Sequence, residues 1–169
     1  MEAPLTITLK HGRYAEDAKP VDRNAVAIAD ALSDALTDTY RLVLKTHACH
    51  WNVAGPMFYP LHQMTEEHYT DMFAAADVLA ERIRALRKRA SVKPARMIDG
   101  LDTGSDTDAD PTADEMVRGL LSDHEALSQR FYALVEAAEI SGDPVTADLA
   151  TERAAFHDKA AWMLRATAA

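Results

Sequence analysis

The sequence predicts an all-α protein: a four-helix bundle with a long connection, holding at most a short helix, between the second and third helices. Three observations predict this fold class. Apolar residues recur at helical spacing through four long segments. The 169 residues include only 6 Gly and 7 Pro, and Ala is abundant, which favours helices over many short strands. Hydrophobic residues make up 48% of the chain, which at this length can supply one core.

The chain is predicted to consist of an N-terminal tail, residues 1–22, and one helical domain, residues 23–169. Pro4, Gly12 and Pro20 interrupt the tail, which otherwise holds only a short alternating apolar stretch. Its three basic and four acidic side chains nearly cancel, so the tail is close to neutral.

Capping and breaking residues place the first two helices. Asn24 is a suitable N-cap, so the first helix is expected to run from there to about Asn52. Gly and Pro residues in the segment 53–60 break the pattern. The second helix is expected from about Leu61 to Arg89.

The connection over residues 91–110 is rich in Asp. Its second half, residues 99–110, has no apolar period and is predicted to be a solvated loop.

The last two helices follow. Thr112 and Glu115 have the spacing of a capping box, which predicts the start of the third helix, and its apolar period continues to about Ile140. The turn-forming sequence Ser-Gly-Asp-Pro, residues 141–144, separates it from a fourth helix that is expected to end near Arg165.

Composition excludes several classes of function. The net charge of −9, from 27 acidic and 18 basic residues, argues against nucleic-acid binding by bulk attraction. The sequence contains no run of roughly 20 apolar residues that could span a membrane, and no pattern typical of a signal peptide. The single cysteine, Cys49, cannot form a disulfide within the chain and is expected to be buried and inert. These features favour a cytoplasmic protein.

Two imidazoles and two carboxylates form a candidate metal site. Asp77 and Glu81 are four residues apart and therefore share one face of the second helix, where they repel each other unless a cation lies between them. His50 ends the first helix and His62 opens the second, so a short reversal could bring their rings together. This combination of nitrogen and oxygen ligands suits iron.

The spacing of these residues predicts a site between subunits. His62 and Asp77 are 15 residues apart, or roughly 22 Å along a straight helix, so one chain cannot place both on one ion. Two copies of the second helix, packed antiparallel about a two-fold axis, could bring His62 of one chain to Asp77 and Glu81 of the other. The spacing therefore also predicts an obligate homo-oligomer.

Two other interpretations compete with this one. A di-iron site inside one bundle needs Glu-x-x-His on two helices, and none of the seven histidines has Glu three residues before it. Alternatively, Asp77 and Glu81 could be a solvated face paired with Arg82 or Arg84, which would contribute only about 0.3–0.5 kcal/mol per pair.

The remaining histidines have no partner pattern and are expected to be structural or exposed: His11, His47, His68, His124 and His157. His47 lies one helical turn before His50 and is the one that could touch the site.

The metal-site segment resembles a known family. The run His50-Trp51-Asn52, the later His62 and the pair Asp77-x-x-x-Glu81, at intervals of 12, 15 and 4 residues, are similar to the signature of the Dps mini-ferritins. The resemblance covers roughly residues 24–165 and implies a ferritin-like four-helix bundle.

The resemblance also implies a function and a ligand set. Family members form a hollow dodecamer that oxidises Fe(II), typically with hydrogen peroxide or else with oxygen, and stores the ferric mineral. Iron is thus the implied metal, and the oxidation protects against oxidative damage. His50 and His62 would be ligands from one subunit, and Asp77 and Glu81 ligands from its partner at a two-fold interface.

Four further positions receive roles from the resemblance alone. Glu66 and Glu67 resemble acidic positions on the cavity side that bind a second iron or nucleate mineral. Asp148 resembles an acidic position that lines an iron-entry pore. Trp51 lies beside the site and could absorb oxidising equivalents.

Two features depart from the family pattern. Leu-Arg-Lys-Arg, residues 86–89, stands where the family often has Leu-Gly, so the connection is expected to take a different path. The lysine-rich tail of many DNA-binding members is absent, which argues against DNA binding. A DNA-condensing nucleoid protein with a secondary iron site is the alternative function, followed by a non-enzymatic helical interaction protein.

Overall fold

A computed structural model describes residues 23–98 and 111–168, which form five helices and no strand. The helices are α1 (Arg23–Asn52), α2 (Phe58–Ala85), α3 (Pro94–Ile98), α4 (Ala113–Ile140) and α5 (Pro144–Thr167). The all-α prediction and the short helix in the connection are confirmed. The predicted tail, residues 1–22, and the Asp-rich segment 99–110 lie outside the described residues.

The four long helices form two hairpins. α1 packs along α2 and α4 along α5, while α1 also meets α4 and α2 meets α5. The interior is mainly apolar and rich in Leu and Ala, and its fully enclosed apolar side chains include Leu32, Leu61, Met72, Leu79, Ile83, Leu120, Phe131 and Leu164. No helix in the described part of the chain is long and apolar enough to cross a membrane.

The elbow between α1 and α2 is short. Gly55 has a φ of +86°, a left-handed conformation that glycine adopts without strain. Its carbonyl accepts a hydrogen bond from the Phe58 amide at 3.0 Å. α2 therefore begins at Phe58, three residues earlier than predicted, and Pro60 lies in the first turn, where its missing N–H removes no helical bond.

α2 also ends earlier than predicted, at Ala85 and not near Arg89. Arg87 adopts φ +61°, and the Lys88 amide donates back to the Ile83 carbonyl at 3.1 Å. This is the hydrogen-bonding pattern of a left-handed helix end, formed here with arginine in the position that usually belongs to glycine. Residues 86–89 thus contain the usual turn at a helix end, with arginine where glycine is common, and the different path expected for the connection stays a prediction.

Capping residues fix the start of α4 and of α5. Thr112 and Glu115 form the predicted capping box. Asp143 caps α5 by accepting from the Thr146 amide at 3.0 Å, and its carboxylate also accepts two bonds from the Arg82 guanidinium, at 2.7 and 2.8 Å. The salt bridge between Arg82 and Asp143 therefore links the C-terminal end of α2 to the start of α5.

Candidate metal centre

The elbow brings His50 and His62 together. Their rings stack with centroids 3.7 Å apart and an angle of 16° between the planes. His50, at the end of α1, is 8% exposed, and His62, in the second turn of α2, is half-buried. The predicted approach of the two imidazoles is confirmed, and we call His50 and His62 the histidine pair.

Reciprocal hydrogen bonds hold the histidine pair. Nδ1 of His50 lies 2.9 Å from the carbonyl oxygen of His62, and Nδ1 of His62 lies 2.9 Å from the carbonyl oxygen of His50. A carbonyl oxygen only accepts, so each Nδ1 must carry the hydrogen. In the neutral rings, each Nε2 is then unprotonated and has a free lone pair, which is the state that binds a metal.

Two further residues support His50 and were not singled out in the sequence. The Thr65 hydroxyl lies 3.3 Å from Nδ1 of His50 and itself donates to the Leu61 carbonyl at 2.7 Å. The Tyr69 ring stands edge-on to His50 at 5.2 Å. Both lie on the face of α2 that carries His62, at spacings of three and seven residues, and this spacing was the signal that could have found them.

Asp77 and Glu81 are exposed on the C-terminal half of α2, and we call them the acid pair. Neither has a salt-bridge partner among the described residues. Arg82 donates instead to Asp143, and Arg84 donates to the Lys88 carbonyl at 2.9 Å. The predicted ion pairs of these acids with Arg82 or Arg84 are therefore wrong, whereas both acids do lie on a solvated face.

The histidine pair and the acid pair do not meet within one chain. α2 runs without interruption from His62 to Glu81, so about 22 Å of helix separate His62 from Asp77. No three of the described His, Cys, Asp and Glu side chains are arranged around one metal position. One chain thus holds the two pairs apart, and both their metal binding and their meeting across an interface remain predictions.

The other predicted positions are on the surface. Glu66 and Glu67 are exposed on α2, and Asp148 is exposed on α5. Their roles at mineral and at a pore remain predictions.

Trp51 is 68% exposed and reaches the histidine pair only through other rings. It stacks on His47 with centroids 5.1 Å apart, and His47 lies 4.0 Å from Tyr69. Burial, followed by the nearby charge of His50, lowers the pKa of His47. His47 therefore joins Trp51 to Tyr69, which borders the histidine pair, and its contact with the metal site itself stays a prediction.

Cys49 is buried as predicted. Burial raises the pKa of its thiol to about 11, so it stays protonated near neutral pH, the less reactive form.

Three histidines expected to be structural or exposed are buried together between α2, α4 and α5. His68 is 4% exposed, and His124 and His157 are fully enclosed. We call these three residues the buried histidine cluster.

Comparison with known proteins finds one family. A family model of the ferritin-like domain matches residues 29–169. DNA protection during starvation protein 2 of Bacillus anthracis is 35% identical to this chain over 142 residues, which cover 82% of this chain and 94% of that protein.

Solved structures of Dps proteins have the same fold as this chain. Dps from Thermosynechococcus elongatus superposes with a TM-score of 0.78 at 27% identity, covering 88% of this chain and 94% of that one. A Dps protein from Vibrio cholerae O1, a member of a broad superfamily of ferritin-like diiron-carboxylate proteins, gives a TM-score of 0.73 at 29% identity, with coverages of 85% of this chain and 89% of that one.

Proposed function

This chain belongs to the Dps family of ferritin-like proteins, and on that basis we propose that it is an iron-oxidising and iron-storing mini-ferritin that binds Fe(II) between two subunits. In this proposal the histidine pair of one subunit and the acid pair of its partner hold the iron. Two neutral imidazoles and two carboxylates match Fe(II) in ligand type and balance its charge.

Two observations support the proposal: the hydrogen bonding of the histidine pair and the exposure of the acid pair. A hydrogen bond from each Nδ1 to a backbone carbonyl holds the histidine pair in one tautomer and orients the rings, with each Nε2 available. The acid pair is exposed and has no basic partner in the described part of the chain. Two like charges four residues apart on a helix destabilise it slightly, so a cation between them is the simplest explanation for their presence.

Iron is the substrate, and its oxidation needs an oxidant from solution. With hydrogen peroxide, two Fe(II) ions, one peroxide and two protons give two Fe(III) ions and two waters, so the O–O bond breaks and each iron loses one electron. Oxygen is the other candidate oxidant. Consuming Fe(II) and peroxide together would limit oxidative damage.

The remaining roles follow from the same proposal. Fe(III) would pass to Glu66 and Glu67 and mineralise inside a hollow dodecamer in the cytoplasm. Asp148 would line the entry pore, and Trp51 would absorb oxidising equivalents.

Subunit complementation tests the proposal directly. One subunit type carries His62→Leu and the other carries Asp77→Ala/Glu81→Ala, and each alone should oxidise Fe(II) at near-background rate. In a two-fold pair formed from one of each, one of the two sites regains all four ligands. Random co-assembly in equal amounts makes half of the pairs mixed, so about a quarter of the wild-type rate should return.

The measurement is ferric absorbance after peroxide is added to anaerobically bound Fe(II), in assemblies first shown to be equal in size. Glu136→Ala/Glu139→Ala, which removes two exposed carboxylates from α4, should oxidise iron like the wild type. Mixed assemblies that stay at background would overturn the inter-subunit site, and wild-type rates in Asp77→Ala/Glu81→Ala would place the chemistry elsewhere.

DNA condensation is not favoured as a second function. The net charge of −9 opposes association with a polyanion. A gel shift at low and moderate salt measures this directly, because binding through phosphates falls steeply as salt rises.

A further inference from the structure

The buried histidine cluster draws one imidazole from each of three helices: His68 from α2, His124 from α4 and His157 from α5. The His68 and His124 ring centroids lie 5.2 Å apart, and those of His124 and His157 lie 5.1 Å apart. Phe131 stacks on His157 at 5.6 Å, and Phe156 lies 5.0 Å from the same ring. Three polar rings are therefore enclosed within an aromatic part of the core.

The hydrogen bonding of the cluster is incomplete. Nδ1 of His124 lies 2.9 Å from Nδ1 of His157, so one of them donates and the other accepts. Nε2 of His124, Nε2 of His157 and Nδ1 of His68 are buried without a hydrogen-bond partner in the described chain. Leaving one such group unsatisfied costs about 1–3 kcal/mol, so a sequence that keeps three of them together needs a compensating interaction.

The spacing of the rings suits a shared metal ion. With Zn–N bonds of about 2.0–2.1 Å, two imidazoles on one tetrahedral ion have centroids about 5.2 Å apart and ligand nitrogens about 3.3 Å apart. The two centroid separations match the first distance. The 2.9 Å contact between Nδ1 of His124 and Nδ1 of His157 is a hydrogen bond, which a shared ion would replace or leave to one side by binding the unpartnered nitrogens. As they are placed, the three rings do not enclose an ion. Rotation about the broad terminal torsion of histidine can turn a nitrogen of each ring inward.

We propose that the buried histidine cluster is a second metal site, distinct from the iron site between subunits, and that it binds a divalent ion of the zinc type in preference to Fe(II). All three ligands are imidazoles and no carboxylate belongs to the set, which favours zinc over Fe(II) in both ligand type and affinity order. Three histidines with a fourth position open to water is a known zinc arrangement.

The protonation state of the cluster supports metal binding. Burial lowers the pKa of His124 to about 3, with smaller contributions from the charges of His68 and Arg153. Burial also lowers the pKa of His157 to about 2, with smaller contributions from His124, Arg153 and His68. Both rings are therefore neutral near pH 7, and a metal ion would not have to displace a proton from either lone pair.

Charges around the cluster partly offset one another. Arg153 on α5 opposes a cation, but its guanidinium is bonded to Asp71 on α2 at 2.6 Å and lies over the Phe156 ring. Lys159 also opposes a cation near His68, whereas Glu67 and Asp71 favour one there. The negative charge that would balance a dication thus comes from α2.

Zinc and cobalt binding to the full chain tests the proposal in a His62→Leu/Asp77→Ala/Glu81→Ala background, which lacks ligands from both halves of the site proposed for iron. Metal-free protein should gain about one Zn²⁺ per subunit, with a rise in Tm of about 5–10 °C at zinc concentrations near 100 times the Kd. Co²⁺ should give the intense visible bands of a tetrahedral site.

The decisive variant in that background is His124→Leu, which should lose the cobalt bands and the zinc-induced rise in Tm. Leu120→Ala, one helical turn earlier on α4 and equally buried, controls for damage to the core and should keep both. Should His124→Leu fail to assemble, His68→Phe replaces it.

Absence of the zinc and cobalt signals from the background protein would overturn the proposal. Signals that survive His124→Leu or His68→Phe would overturn it too, because the metal would then be bound elsewhere. Because the iron site is already disabled in every arm, the result does not depend on the proposed function.

Discussion

His50 and His62 lie side by side at the elbow, while His68, His124 and His157 lie together in the core, and the two groups show how differently the same side chain is used. In the histidine pair each Nδ1 has a backbone carbonyl as its partner, so the rings are fixed and each Nε2 remains available. In the buried histidine cluster the rings are tilted against one another, and three nitrogens have no hydrogen-bond partner among the described residues. The partner of each ring, and not burial alone, decides whether a histidine is ready to bind a metal.

The two groups of histidines should also differ in their effect on the stability of the fold. The histidine pair has its hydrogen bonds satisfied and needs only a partner subunit to become a complete site. The buried histidine cluster carries unsatisfied nitrogens inside the core, so it should reduce stability when no metal is bound and when the pH falls. Substitutions in the pair should therefore change iron oxidation, and substitutions in the cluster should change stability.

The largest effect is expected from the histidine pair. His62→Leu removes one ligand and one of the two reciprocal hydrogen bonds, so the rate of Fe(II) oxidation should fall by about 100-fold or more. Tm should change by only a few degrees because His62 is partly exposed. Stopped-flow ferric absorbance measures the rate. The control is Gln63→Leu, at the exposed residue next to His62, which should leave the oxidation rate unchanged. A His62→Leu rate within threefold of wild type would contradict the assignment.

The cluster should make stability depend on pH. An unfolded histidine takes up a proton near pH 6.5, whereas His124 and His157 have folded pKa values of about 3 and about 2. Their contribution is therefore present above pH 6.5 and is lost as the pH falls below it. Between pH 6.5 and 5.5 the two together should lose about 2 kcal/mol, a fall in Tm of about 4–8 °C.

Thermal melts with a chelator present measure this fall at fixed protein concentration. His157→Phe, which removes one titrating ring and keeps an aromatic one, should reduce the fall by about half. A fall of unchanged size in His157→Phe would mean that other groups carry the pH dependence.

A smaller effect is expected at Thr65, which supports the histidine pair from α2. Thr65→Val removes the hydroxyl near Nδ1 of His50 but keeps the shape of the side chain and leaves the His62 carbonyl in place. The apparent Fe(II) affinity should therefore weaken by about tenfold or less. Anaerobic Fe(II) titration measures it, with Thr151→Val on α5 as the matched substitution, since Thr151 also bonds a carbonyl four residues earlier. A loss as large as that of His62→Leu would mean that Thr65 is itself a ligand.

Much of the fold could be predicted because its signals are local. The capping box at Thr112 and the left-handed Gly55 both lie within a few residues of the helix ends they specify. The end of α2 was missed because an arginine occupies the left-handed position, and the sequence contains no glycine there to indicate it.

The candidate site could be predicted only in part. The four proposed ligands were found from their spacing, because the separation of His62 from Asp77 is fixed by helix geometry. The reciprocal hydrogen bonds of the histidine pair depend on the path of the elbow, which the spacing of the two histidines in the sequence does not specify. The meeting of His68 with His124 and His157 depends on how three helices are aligned along the bundle axis. Periodicity gives the buried face of each helix but not that alignment.

The smallest effect should come from a substitution that touches neither group. Arg87 holds a left-handed conformation at the end of α2, which costs a residue other than glycine roughly 1–2 kcal/mol. Arg87→Gly relieves that cost but makes the unfolded chain more flexible, so the net gain should be about 0.5–1 kcal/mol, or a few degrees in Tm. Arg87→Ala removes the same charge without relieving the strain and should not be stabilised. Equal melting of the two variants would show that the left-handed residue is not strained. α2 also carries His62 and His68. If Arg87→Gly raises Tm but leaves the rate of Fe(II) oxidation and the pH dependence of Tm unchanged, those two properties depend on the histidine groups and not on the overall stability of α2.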